Sequence, residues 1–312
     1  MSKALPFLII FIFLDVSADG QHKVRVLHYQ NGCPSAPPIY QDETSRHSKG
    51  LGSGSDRIAG RNKENNPARP KFLHVLSLKH YYDARRKPYK HYRHLTSLEV
   101  KGESNHLAMI GKINYAQRLL AGEALFRQIN MQYQLDAYPI INENNYFYLS
   151  YAYSGSKLFP NHQTRAVFYH NFPHAIETSV GAYLMQWETS FPIFTGSVGK
   201  YLEHYWISLR PYLVYRGKSL TPSYTLFVRR YMDTPRHFLT LILGYGSSPA
   251  DEVYAIEFRE TYDLKGFNFQ LNYQRDLGDW IARMGAGLKH EEYKGDTRRN
   301  RYRIEMGLSY SF

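Results

Sequence analysis

Apolar and polar residues alternate with a period of two through most of the chain after residue 72. The pattern is clearest between Phe126 and Tyr138, where Ile129, Met131, Tyr133, Leu135 and Ala137 interleave with Gln128, Asn130, Gln132, Gln134 and Asp136. A β-strand sends successive side chains to opposite faces, so the two sets separate completely. A row of amides is costly to bury in a dry core, which predicts a strand lying between lipid and a wet interior. The signature recurs at Phe267, Phe269, Leu271 and Tyr273 against Asn268, Gln270, Asn272 and Gln274. It recurs again at the C-terminus, where Tyr302, Ile304, Met306, Leu308, Tyr310 and Phe312 face one way and Arg301, Arg303, Glu305, Gly307, Ser309 and Ser311 the other.

These segments predict an all-β fold, an antiparallel transmembrane β-barrel of about 14 strands (12–16). Tight turns are expected at Asn142 to Asn144, Phe172 to His174, Glu203-His204, Asp233 to Pro235 and Leu277 to Asp279. Longer loops are expected at Gly155 to Asn161, Arg216 to Thr221, Ser247 to Lys265 and Lys294 to Arg299. Alternation of short and long connections suits a barrel with one turn end and one loop end, and Glu252 to Asp263 could extend two hairpin arms or form a further strand. A soluble β-sandwich or propeller also alternates, but its strands are shorter and its polar face meets solvent.

The one long apolar run, Ala4 to Leu14, is preceded by Lys3 and followed by Val16-Ser17-Ala18. It is too short to cross a bilayer and reads as a signal peptide over residues 1–18. Residues 19–70 are rich in Gly, Pro, Ser and basic side chains without sustained periodicity, and read as a disordered basic tail ahead of a barrel at 71–312. The Gly50 to Ser55 stretch lacks the Gly-Lys-Ser/Thr ending of a phosphate loop. The single cysteine, Cys33, excludes an internal disulfide framework.

Composition sharpens this reading. A mean hydropathy of −0.50 beside 43% hydrophobic residues means that the apolar positions are interleaved rather than collected into membrane helices. The net charge of +12 invites a nucleic-acid partner, yet between Asp19 and Leu95 fifteen Lys/Arg stand against six Asp/Glu, so most of the excess lies in that stretch and the chain after Leu95 is nearly neutral. No nucleic-acid partner is expected. Aromatic residues gather near segment ends, including Tyr146, Tyr148, Tyr151, Tyr153, Trp187, Tyr205, Trp206 and Trp280, where an amphipathic ring suits a headgroup region.

Several stretches resemble the YaiO family of outer-membrane β-barrel proteins: Leu135-Asp136-Ala137-Tyr138-Pro139, Tyr169-His170-Asn171-Phe172-Pro173, Thr195 to Tyr201, Tyr205 to Leu213 and Leu243 to Pro249. The resemblance covers residues 72 to 312. It implies a barrel in the outer membrane of the bacterial envelope with no settled activity, and some relatives are associated with surface polysaccharide systems. The terminal Ser309-Tyr310-Ser311-Phe312 matches the aromatic end read by barrel-assembly machinery, with Phe312 as the assembly signal. The tail lacks the helical repeats that precede the barrel in some polysaccharide exporters.

Fourteen histidines call for weighing of metal and hydrolase chemistry. His170 and His174, four apart on one strand, would lie about 13 Å from each other, too far to share a zinc ion. Neither HExxH nor paired cysteines occur, and no metal or cofactor is expected. Tyr169-His170-Asn171 could supply a base and an orienting amide, but no serine is tied to it, so no catalytic residue is assigned. An interfacial lipid-modifying enzyme, or an adhesive barrel, stands as the alternative.

The alternation instead marks a lumen lined by Lys112, Asn114, Gln132, Gln134, Asp136, Arg210, Arg229, Gln270, Asn272, Arg283, Lys289, Arg303 and Glu305. Such groups either line a polar path or pair across strands and stiffen the wall. With Tyr212 and Trp206 they would suit sugars, and the expected role is a non-enzymatic channel or accessory for surface glycans. Outer-membrane lipid and lipopolysaccharide, the assembly machinery and surface glycans are the expected partners.

Overall fold

The computed structural model describes residues 24–27, 38–41, 73–85, 90–121, 125–156, 158–216, 219–246, 265–293 and 297–312. Two short strands, β1 (Val24–Leu27) and β2 (Pro38–Gln41), pair antiparallel in a sheet of their own. They are rich in β-branched and aromatic residues, which accounts for this ribbon inside the stretch expected to lack periodic structure. The expected signal peptide, Cys33 and the rest of the basic tail lie outside the described residues.

Fourteen antiparallel strands then close into one barrel. They are β3 (Leu73–Arg85), β4 (Lys90–Glu103), β5 (Leu107–Ala121), β6 (Leu125–Pro139), β7 (Asn145–Tyr153), β8 (His162–Phe172) and β9 (Ile176–Gln186), followed by β10 (Ser190–Leu202), β11 (Tyr205–Arg216), β12 (Ser219–Tyr231), β13 (Phe238–Tyr245), β14 (Gly266–Leu277), β15 (Trp280–Tyr293) and β16 (Thr297–Ser311). Each strand pairs with its sequence neighbours, and β16 closes the ring onto β3. At that closure His74 N donates to Phe312 O at 3.3 Å and Phe312 N to His74 O at 2.9 Å, so no sheet edge is left at the seam's lower end.

One face of each strand carries exposed apolar side chains, such as Leu78, Val100, Ile113, Met131, Phe194, Phe267 and Met306. The other carries buried side chains, many of them polar, such as Lys79, Asp83, Glu99, Lys112, Gln134, Arg165 and Arg303. In a closed sheet these are the outer and inner surfaces, and an apolar exterior over a polar interior is the arrangement a bilayer selects.

All five expected tight turns fall at one end, which also carries both ends of the barrel segment, and all four expected long loops fall at the other. Two of those loops are shorter than expected: Arg216 pairs with Ser219, and Thr297 to Arg299 belong to β16, because the hairpin ladders run on to the last pair before the connection. Glutamate 252 to aspartate 263 lies outside the described residues. The β14–β15 turn is a two-residue connection in which Gly278 takes φ +80°, a left-handed conformation open to glycine without strain. Its amide donates to Asp276 Oδ1 at 3.2 Å.

The aromatic residues near segment ends divide in a way the sequence reading missed. Tyr151, Tyr153, Tyr205 and Trp280 are outside, but Tyr146, Tyr148, Trp187 and Trp206 are buried on the inner face. Strand parity decides this: Tyr146 and Tyr148 share the face of Ser150 and Ala152, whereas Tyr151 and Tyr153 share that of Leu149.

Candidate functional site in the barrel lumen

The inner surface has two unlike walls. Strands β14–β16 and β3–β6 carry charges and amides. Lys112 meets Asp136 at 2.9 Å, and Gln134 donates to the same carboxylate at 2.8 Å. Asn114 donates to Gln132 at 3.1 Å. Gln270 donates to Glu305 at 3.2 Å and to Asn272 at 2.9 Å, and accepts from Arg303 at 3.4 Å. Arg283 donates to Gln274 at 2.5 Å, and Lys289 meets Glu291 at 2.7 Å. Eleven of the thirteen residues expected to line the lumen therefore belong to this wall, linked both within strands and across them.

The remaining two, Arg210 and Arg229, sit in the second wall, which is aromatic. Tyr146 stacks on Tyr169 with centroids 4.5 Å apart, and Tyr183 lies 6.1 Å from Tyr212. Arg210 donates to Tyr169 Oη at 3.0 Å and to Ser197 Oγ at 3.3 Å, with its guanidinium over the Tyr169 ring. Arg229 donates to Thr240 at 3.1 Å and lies 4.3 Å from the Phe238 ring centroid and 5.3 Å from that of Trp206. A planar cation on ring faces keeps its charge inside an apolar wall at modest cost. Glu177 accepts from Tyr146 Oη at 3.5 Å nearby.

The sequence reading passed over the charges of β3, β4 and the loop ends of β15 and β16. Lys79 meets Glu99 at 2.5 Å, and Asp83 takes Arg93 at 3.2 Å and Arg303 at 3.9 Å. Glu291 gathers Arg299 at 2.5 Å and Arg301 at 3.0 Å besides Lys289. Charges at every second position were the available signal, but the outer face of β3 and β4 carries His80, Tyr82, His94 and Thr96, which blurs the contrast between faces.

The β7–β8 loop enters the interior and rests on the charged wall. It leaves the wall after Tyr153 and returns at His162, with Ser154 N bonded to Asn161 O at 3.1 Å and Asn161 N to Gln186 O at 2.7 Å. Its tip folds inward: Leu158 and Phe159, 2% and 1% exposed, pack with Tyr81, Leu95 and Ala116 on the inner face of β3, β4 and β5. A loop expected simply as one of the longer connections thus forms a plug that packs on the inner face of the wall. Its three successive apolar or imino residues, Leu158-Phe159-Pro160, gain more by burial than by exposure to water.

Other candidate chemistry is not assembled. His170 Nδ1 faces Asn145 Oδ1 at 2.7 Å, while His174 occupies the β8–β9 turn at φ +64°. On the outer face His80 bridges Thr96 at 3.0 Å and His94 at 3.3 Å, a Thr-His-His chain rather than serine, histidine and carboxylate. Among the described residues no three His, Cys, Asp or Glu are grouped to hold a metal ion.

Among solved structures the chain is similar to Pseudomonas aeruginosa OpdQ (7% identity, TM-score 0.43, 78% of this chain and 98% of that one). It is also similar to OpdO from Pseudomonas aeruginosa (8%, 0.40, 78% and 97%) and to OprD from the same organism (11%, 0.41, 77% and 95%). A search of curated proteins gives no match. Residues 73–251 match the model of the YaiO membrane beta barrel domain, more than half of the chain, so this protein belongs to that family and resides in the outer membrane.

Proposed function

We propose that the protein is a gated, non-enzymatic passage for polar, sugar-like solutes, acting as a channel or accessory in the export of surface glycans. The observation that carries this reading is the inturned β7–β8 loop inside a barrel that has one aromatic wall and one wall of amides and charges. Ring faces such as Tyr212 and Trp206 suit the C–H surface of a pyranose, and the amides opposite suit its hydroxyls. The thirteen lumen residues would form the path once the plug withdraws. Lipopolysaccharide would surround the loop end, and the exposed Phe312 ring, stacked 5.7 Å from His74, would be read during assembly.

The test is single-channel conductance in planar bilayers. The wild-type barrel should be silent or briefly open, and Phe159→Ala, or replacement of residues 155–160 by a short Gly-Ser link, should give discrete openings that neutral oligosaccharides block. Silence in all three would reject the passage and leave a structural barrel.

A further inference from the structure

Among the described residues the wall is incomplete beside the plug. Strand β6 pairs with β5 over its full length, from Ala121↔Leu125 to Leu107↔Pro139. Its pairing with β7 runs only from Tyr133↔Tyr153 to Ala137↔Leu149. Among the described residues, 125–132 thus have a partner strand on one side only, over about 26 Å of strand. Ser154 Oγ reaches that edge and donates to the Met131 carbonyl at 2.5 Å. The exposed apolar side chains of Ile129 and Met131 place part of the gap within the lipid-facing band. Open backbone groups are not left to hydrocarbon, so this gap must meet groups that hydrogen-bond.

Two further features surround it. Directly below, on the outer face, an apolar groove of about 450 Å³ is lined by Val100, Ile113, Tyr133, Leu135, Tyr151 and Tyr153, with Gly111 adding no side chain to fill it. On the inner face, at the level of the gap, lie cations one and two strands away. Arg118 stands opposite Gln128 of the half-paired segment and opposite Arg93 of β4, and donates to His91 at 3.1 Å. Behind the gap, Leu158 and Phe159 form an inner stop.

We propose that the loop-end half of the β6–β7 junction is a lateral portal for a phosphorylated membrane lipid. One acyl chain lies in the outer groove, and the headgroup enters between β6 and the β7–β8 loop toward Arg118 and Arg93. The division of chemistry argues for this occupant: the groove is apolar, the open strand edge needs donors and acceptors, and guanidinium groups bind phosphate oxygens through charge-assisted hydrogen bonds. A barrel that conducts nothing could still hold lipid here, so the portal does not depend on the passage proposed above.

The experiment is photolabelling of the full-length protein in phosphatidylcholine vesicles. The probe is phosphatidylglycerol with a diazirine in its headgroup, and labelled residues are located by mass spectrometry. Label is expected on inward positions beside the gap, Asn130, Gln132 and Leu158, falling about tenfold in Arg118→Gln, whose folding is checked by heat-modifiable gel migration. Gln132→Cys with Ser154→Cys, in a Cys33→Ala background, should abolish inward label when oxidised and restore it when reduced. Phosphatidylcholine carrying the same headgroup diazirine should label these positions weakly, and excess glycerol phosphate should not compete, which separates a lipid site from a free-phosphate site. Label confined to outward residues, equal label from both lipids, or full competition by glycerol phosphate would each overturn the portal. So would protection of the β6 edge by a co-purified polypeptide strand.

Discussion

Lys112 and Asp136 form an ion pair 2.9 Å apart with each side chain 2% exposed, on β5 and β6. Removing one partner strands the other charge in the barrel interior. Lys112→Met should therefore lower stability by about 3 kcal/mol, read as a shift in the urea midpoint of the detergent-folded barrel, and adding Asp136→Leu should recover most of it. Additive losses would show that the two groups do not depend on each other. Glycines give a second contrast. At Gly278 a Cβ would meet nothing within 4 Å, but φ is +80°, so Gly278→Ala should cost about 1 kcal/mol through backbone strain alone. At Gly181 a Cβ would sit 2.4 Å from the Ala166 carbonyl oxygen and 2.7 Å from Val167 Cα. Gly181→Ala must push β8 away from β9 and should cost about 2 kcal/mol on the same assay. Equal costs would mean that the β8–β9 spacing is softer than its geometry suggests. Parity along the chain reveals the face on which Lys112 or Arg303 lies. It could not give their partners, because Lys112 reaches Asp136 only through the particular register that sets Lys112 opposite Gln134.

At the scale of elements, legibility followed chemical contrast between faces. Strands β6, β14 and β16, apolar outside and amide or charged inside, could be read residue by residue. Strand β7 could not, because its inner Tyr146 and Tyr148 and its outer Tyr151 and Tyr153 are chemically alike. The outer His80 and Tyr82 obscured β3 in the same manner. The plug was hidden for a different reason. Leu158-Phe159-Pro160 follows Gly155-Ser156 in what reads as an ordinary surface loop, and only the fold brings it against Leu95 and Ala116, distant in sequence and on other strands. The shortness of β7 was equally hidden, since a strand's last pair depends on where the following loop turns.

Across the whole molecule, the charged wall and the aromatic wall each belong to a contiguous run of strands, so the asymmetry of the lumen follows the order of the chain. Thirteen of the fourteen interfaces join strands adjacent in sequence, and only the meeting of β16 with β3 spans the barrel segment. That ladder is as regular as the others, running in register from Arg301↔Arg85 to Ser311↔Val75. With His74 and Phe312 hydrogen-bonded to each other, the first and last residues of the barrel are near enough to be joined by a short peptide. A circular permutant opened in the exposed Glu203-His204 turn, with its old ends tied, should fold to the same compact, heat-modifiable species as the parent barrel. If it does, the seam is only the place where the barrel segment happens to be cut. If it does not, β16 and β3 hold ordering information that hydrogen bonding between them does not explain.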